Sequence, residues 1–217
     1  MAKKELERRG YSFEVRAEAT DTGEKIITGR PIVYGSRTDL GYFDEIIEPG
    51  ALDMTDLTDV RFLVNHNTDM IPLARSRRNN GNSTMKFSVD MQGLNLDFVK
   101  LDVENNATSR ALYSAVERGD ITGMSFMFSV DDEEWENLES DHPTRHIRGI
   151  SSVVEVSAVT WPAYDATEIN ARSKEALENA RTALENVREQ RATSLESETN
   201  ELELLKAKTR TLILGGK

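Results

Sequence analysis

From its first residues to about position 165 the chain alternates apolar and polar side chains with period two, and after that it turns helical. The alternation predicts strands at 11–18 (YSFEVRAE), 25–34 (KIITGRPIVY), 60–65 (VRFLVN) and 84–89 (TMKFSV). Further strands are predicted at 94–101 (LNLDFVKL), 123–131 (GMSFMFSVD) and 151–161 (SSVVEVSAVTW). Asp21-Thr22-Gly23, Asn79-Asn80-Gly81 and Met91-Gln92-Gly93 supply turn chemistry between them. One stretch breaks the rhythm: in Thr108–Gly119, Ala111, Leu112, Ala115 and Val116 recur at helical spacing and Gly119 is a plausible stop. Pro49-Gly50-Ala51-Leu52 could open a second, short helix. The expected fold is α+β, a mostly antiparallel β-barrel or sandwich with a few short helices, followed by a helical tail.

In the tail, Leu177, Ala180, Leu184 and Val187 form an apolar stripe, which Leu195, Leu202, Leu205 and Leu212 resume after a polar gap at Arg191. Thr193 with Glu196 fits a capping box that would start a second helix there. Composition changes at the same boundary. Residues 171–217 hold nine Lys/Arg and eight Glu with no proline or aromatic, while residues 1–170 hold 18 basic and 30 acidic groups. We therefore expect a domain over 1–168 and a helical tail over 169–217, which either folds back on the domain or binds another chain, possible partners being a second copy or a scaffold.

The net charge of −11 argues against a nucleic-acid partner, and no run of about 18 apolar residues suggests a membrane span. The charged opening MAKKELERRG lacks the apolar centre of a secretory signal. With no cysteine there is no disulfide, thiolate nucleophile or Cys-based zinc site. Only His66, His142 and His146 remain for imidazole chemistry. His142 and His146 flank Pro143, so a helical zinc pair is not expected, and neither a metal nor another cofactor is required.

Three residues could carry catalysis. His66 ends an apolar strand and is either an exposed turn residue or a base delivered to a cleft. Ser125 shares a strand face with Met127 and Ser129, opposite Met124, Phe126 and Phe128, and is either solvated or a nucleophile. Glu155 sits among valines, where a carboxylate needs a partner or a path to water. A serine nucleophile requires a base and a third group orienting that base, and these are the available types.

Several motifs occur in a recognisable order: Ile27-Thr28-Gly29 before Ile32-Val33-Tyr34, Glu45-Ile46-Ile47-Glu48-Pro49-Gly50-Ala51-Leu52, Asn65-His66-Asn67, and Gln92-Gly93-Leu94. Arg118 to Phe126 (RGDITGMSF), Glu155 to Thr160 (EVSAVT) and Pro162-Ala163-Tyr164 complete the set. From about Gly29 to Thr167 the chain thus resembles the HK97-type prohead serine proteases of tailed bacteriophages, a family similar in fold to the herpesvirus maturation proteases. That resemblance implies a closed β-barrel with surrounding helices, Ser125 as nucleophile, His66 as general base and Glu155 as third member, with His146 in reserve. The oxyanion arginines of the herpesvirus enzymes have no counterpart near Trp161-Pro162-Ala163-Tyr164, which leaves backbone N–H groups for that task. Ile71-Pro72-Leu73-Ala74-Arg75 also departs from the Leu-Gly-Arg run more usual in the family.

The function implied is a serine endopeptidase of capsid maturation. It would act inside the procapsid, assembled in the bacterial cytoplasm, on scaffold or the scaffolding segment of the major capsid protein, and on itself. Oligomers could form through the barrel or the tail. The rival is a scaffold or assembly protein that keeps the protease fold without turnover.

Overall fold

The computed structural model describes residues 6–11, 15–77, 81–160 and 171–214, with side chains of the last stretch at Glu178 and across 180–209. Among the described residues the fold is α+β, with a seven-stranded and a four-stranded sheet and two helices. The larger sheet runs β1 (Glu7–Tyr11), β10 (Gly123–Glu136), β11 (Thr144–Val159), β5 (Asp44–Ile47), β4 (Arg37–Asp39). Within it, β6 (Arg61–Val64) pairs in parallel with the far end of β11 and carries β7 (Ala74–Arg75). The smaller sheet runs β2 (Val15–Ala19), β3 (Lys25–Val33), β9 (Gly93–Lys100), β8 (Met85–Asp90).

The long β10–β11 ribbon controls the shape. Phe126 and Trp135 stand nine positions apart on β10, roughly 30 Å in a straight strand. Yet Arg9, opposite Phe126, bonds Glu45, whose strand partner Arg145 lies opposite Trp135. The ribbon must therefore fold over itself. It bends where the pairing slips, at four bulges between Met127 and Glu133. Gly149 permits this, since a Cβ there would lie 2.6 Å from Asp131 Oδ1. The expected closed barrel is not what forms: among the described residues neither sheet closes, and the larger one ends in edges at β1 and β4. Bulge-driven folding of one ribbon brings its ends together without closing the hydrogen-bond ladder.

The core lies between the sheets, where Ile27, Ile32, Leu94, Leu96 and Val99 meet Met124, Phe126, Phe128, Phe62 and Val156. Helix α1 (Ala107–Glu117) adds Leu112, Tyr113 and Val116, against β2 and β3. Asn106 Oδ1 caps it, accepting from the N–H groups of Thr108 and Ser109 at 2.9 and 3.1 Å, and Gly119 at φ 77° ends it, close to the expected limits. The helix expected at Pro49 does not form. Gly50 takes φ 90°, which a right-handed helix cannot propagate, and a series of turns results.

The strand expected at 11–18 is two strands in different sheets, β1 and β2, with residues 12–14 outside those described. The tail forms one helix, α2 (Ala171–Leu214), with no second start at Thr193, whose hydroxyl donates to Glu189 O at 2.9 Å within the helix. Ala180 and Leu184 are buried against Leu40, Phe43 and Leu138, and Arg188 donates to the carbonyls of Leu138 and Ser140. Farther along, Leu195, Leu202 and Leu205 are exposed. The expected boundary at 168/169 falls within 161–170, outside the described residues.

A buried ion cluster ties the folded ribbon. Glu45 accepts from Arg9 Nε and Nη2 at 2.6 and 2.7 Å, and from Arg145 Nη1 at 3.1 Å. Arg145 also grips both oxygens of Glu7 at 2.6 and 2.8 Å and bonds Glu133. Burial alone would raise the Glu7 carboxyl, but Arg9 and Arg145 outweigh it and hold its pKa at about 2, below the ordinary 4.5. Arg145→Ala leaves these buried carboxylates short of a partner and should cost about 3–5 kcal/mol in urea unfolding. Because the folded pKa of Glu7 is depressed, its contribution is complete above pH 4.5 and disappears as pH falls toward about 2. Thermal unfolding of Glu7→Gln should lack that part of the acid-induced loss.

Candidate active site

Three segments distant in sequence converge at one end of the larger sheet. Ser125 lies on β10 directly opposite Ser157 of β11, and Glu155 is opposite the neighbouring Met127. Period two puts Ser125, Glu155 and Ser157 on one face. On the other side of β11, β6 runs parallel, with Ser157 beside Leu63 and Ala158 beside Val64, so the chain leaves β6 at the level of the serine. His66 is two residues beyond that strand end.

The turn that aims His66 is unusual. Asn65 and His66 both adopt left-handed backbone, at φ 53° and 55°, a conformation costing L-residues roughly 1–2 kcal/mol each. Four hydrogen bonds hold it. Asn65 N–H donates to Ala158 O at 2.9 Å, and its side chain exchanges two bonds with Thr160, from Nδ2 to Oγ1 at 3.1 Å and from Thr160 N–H to Oδ1 at 3.0 Å. His66 N–H donates to Ser157 Oγ at 3.0 Å.

The result is a line of three groups. His66 Nε2 is 2.6 Å from Ser125 Oγ, and Nδ1 is 2.6 Å from Glu155 Oε2. Ser157 Oγ donates to the other carboxylate oxygen, Oε1, while accepting from the His66 backbone. Glu155 and Ser125 are buried, and the imidazole is 17 % exposed. A carboxylate on Nδ1 fixes the tautomer that leaves Nε2 facing the hydroxyl, the geometry needed to take a serine proton.

Ser125 Oγ has a second neighbour, the Arg9 carbonyl oxygen, as acceptor at 2.7 Å. A hydroxyl has one proton. The Arg9 carbonyl oxygen and His66 Nε2 therefore compete for it.

A family model described as Caudovirus prohead serine protease matches residues 11–182. The chain belongs to that family. No curated protein and no solved structure matches it significantly. Membership of the prohead serine proteases assigns serine-protease chemistry at family level. All three residues of the hydroxyl–imidazole–carboxylate line fall inside the matched stretch of this prohead protease.

Of the expected residues, Ser125, His66 and Glu155 are brought together. His146 is not among them: its Nδ1 meets Glu48 Oε1 at 2.6 Å, and it stands opposite Glu134 at the other end of the ribbon. His142 faces Asp44 at 3.3 Å on the surface. Trp161-Pro162-Ala163-Tyr164 lies outside the described residues.

The alternation places Ser157 on the face of Glu155, two residues on, but by itself gives it no role. Asn65 was quoted only as part of a motif, and nothing in its neighbours announces a left-handed turn. Replacing Asn65 by Gly or by Ala removes the same bonds to Thr160, but only Ala keeps the backbone strain. Asn65→Ala should therefore be less stable than Asn65→Gly by about 1 kcal/mol in denaturant titration.

Proposed function

We propose that this prohead protease is a serine endopeptidase with Ser125 as nucleophile, His66 as general base and Glu155 as the group that orients the base. The observation carrying this reading is the unbroken 2.6 Å and 2.6 Å sequence from hydroxyl to imidazole to carboxylate. Ser125 Oγ bonds to the carbonyl carbon of a peptide while its proton passes to His66 Nε2. The imidazolium, favoured by Glu155, returns that proton to the departing amide nitrogen as the C–N bond breaks. Water, deprotonated by His66 Nε2, then attacks the ester carbon, and the imidazolium returns that proton to Ser125 Oγ as the C–O bond breaks.

Ser157 is a positioning residue in this scheme: it orients Glu155 and pins the His66 backbone without touching the reacting atoms. The oxyanion is assigned to backbone N–H donors. The substrates are scaffold or the scaffolding segment of the major capsid protein, and the protease itself, within the procapsid interior. In that setting the tail binds scaffold through the exposed leucines of its second half, Leu195, Leu202 and Leu205. A scaffold protein without turnover is the weaker reading, because such a protein has no need of a carboxylate buried against an imidazole.

Co-expression with the capsid subunit tests the proposal. Ser125→Ala and His66→Ala should each lower turnover by on the order of several powers of ten, leaving subunit mass unchanged, and Glu155→Gln should cost less. Unchanged processing by Ser125→Ala would refute the assignment. Ser157→Ala should lower kcat about 10- to 100-fold with KM little altered, as expected for loosened alignment. Truncation after Arg191 keeps the docked half of α2, so it should preserve peptide hydrolysis and abolish packaging.

A further inference from the structure

The strand β1 does more than complete a sheet. It runs antiparallel along the edge of β10, with Gly10 opposite Ser125 and Arg9 opposite Phe126. That register sets the peptide unit joining Arg9 to Gly10 at the serine, with the Arg9 carbonyl oxygen 2.7 Å from Oγ. The family match begins at residue 11, so Glu7, Arg8, Arg9 and Gly10 precede it, whereas Ser125, Glu45 and Arg145 lie within it.

Side chains on β1 fit the groups they meet. The Arg9 guanidinium is almost wholly buried, forks onto both oxygens of Glu45 and lies 5.6 Å from the centre of the Phe128 ring. Two residues earlier, on the same strand face, Glu7 offers both oxygens to Arg145. The body of the fold thus presents a carboxylate for the side chain at the serine and a guanidinium for the side chain two positions before it.

We propose that β1 occupies the place of the substrate, and that this protease cleaves extended segments of the form acidic–any–arginine on the carboxyl side of the arginine. The inference rests on Ser125 being the nucleophile and adds the substrate class. A substrate strand replaces β1 as partner of β10, its arginine bonding Glu45 and its acidic residue bonding Arg145. Arginine is selected over lysine because the planar fork satisfies both oxygens of Glu45, which an ammonium on a single bond does not. A neutral side chain would leave Glu45 desolvated without its forked partner. With β1 in place the Arg9 carbonyl oxygen competes with His66 Nε2 for the serine proton, so the bound strand restrains the nucleophile it covers.

The test uses the full chain, the full chain with Arg9→Ala, a small fluorophosphonate that labels active serines, and three quenched peptides supplied at roughly millimolar concentration, enough to compete with the tethered strand. The peptides are Leu-Glu-Arg-Arg-Gly-Tyr and the same sequence with lysine or glutamine in place of the second arginine. The expected result is cleavage between Arg and Gly alone, with kcat/KM falling for lysine and dropping about a hundredfold for glutamine. Arg9→Ala should label and cleave about tenfold faster than the unaltered chain, since its strand is held less firmly. If that variant does not fold, the peptide ratio with the unaltered chain decides. Equal rates on the arginine and glutamine peptides, cleavage elsewhere, or no cleavage by a chain whose serine labels would overturn the substrate class while leaving the nucleophile intact. Failure of both labelling and cleavage would overturn Ser125 as nucleophile, and this inference with it.

Discussion

The buried charges of Arg9, Glu45 and Arg145, completed by the less buried carboxylates of Glu7 and Glu133, hold the structure in its particular shape. Each costs several kcal/mol to remove from water, and the cost is offset only when all find partners at once. Those partners come from the hairpin end of the β10–β11 ribbon, from β5 beside it, and from β1, which pairs with the ribbon's other end. A ribbon without the bulges between Met127 and Glu133 would keep these groups far apart and leave the ions uncompensated. Apolar packing alone does not fix how far the ribbon bends, whereas charge pairing at 2.6–2.8 Å does.

The same constraint prepares the site. Ser125 and Glu155 sit on adjacent strands of the ribbon and are aligned by its ladder, so their separation is as rigid as the sheet. His66 arrives from a third segment and needs its own fixture. Parallel pairing of β6 with β11 brings it to the right level, and two left-handed residues turn its ring inward. The strain of that turn is tolerated because Ala158, Thr160 and Ser157 bind it on every side. Ser157 links the two problems, bonding the His66 backbone and the carboxylate that its ring must face.

What could be read in the sequence follows from what kind of force shapes each part. β3, β6, β8, β9 and the first half of β10 are short apolar-rich runs bounded by turn residues, legible as strands even where, as over Gly123–Ser129, both faces are buried, and Gly119 marked the end of α1. His66 could be nominated because the chain has only three histidines, whereas Ser125 and Glu155 were singled out by the resemblance to the prohead proteases. The strands β1 and β5 were hidden because their buried positions, Arg9 and Glu45, are charged, and only partners 36 residues apart make burial acceptable. The open sheets differ from the closed barrel expected because bulges have no periodic signature. The break predicted at Thr193 failed because a capping pattern inside a continuous helix has nothing to cap.

A strand tethered to its own domain competes with any incoming peptide at an effective concentration of roughly millimolar. Free segments of ordinary affinity would therefore seldom displace β1, and the serine would stay bonded to the Arg9 carbonyl. If the protease acts within a procapsid, as proposed, its substrates stand at comparable local concentration, and the competition becomes even. Covering the nucleophile with a strand of the chain's own then suits an enzyme whose targets are dilute before assembly and crowded after it. The acidic residue and the arginine of β1 serve both purposes, because the contacts that hold the strand are the ones a substrate would use.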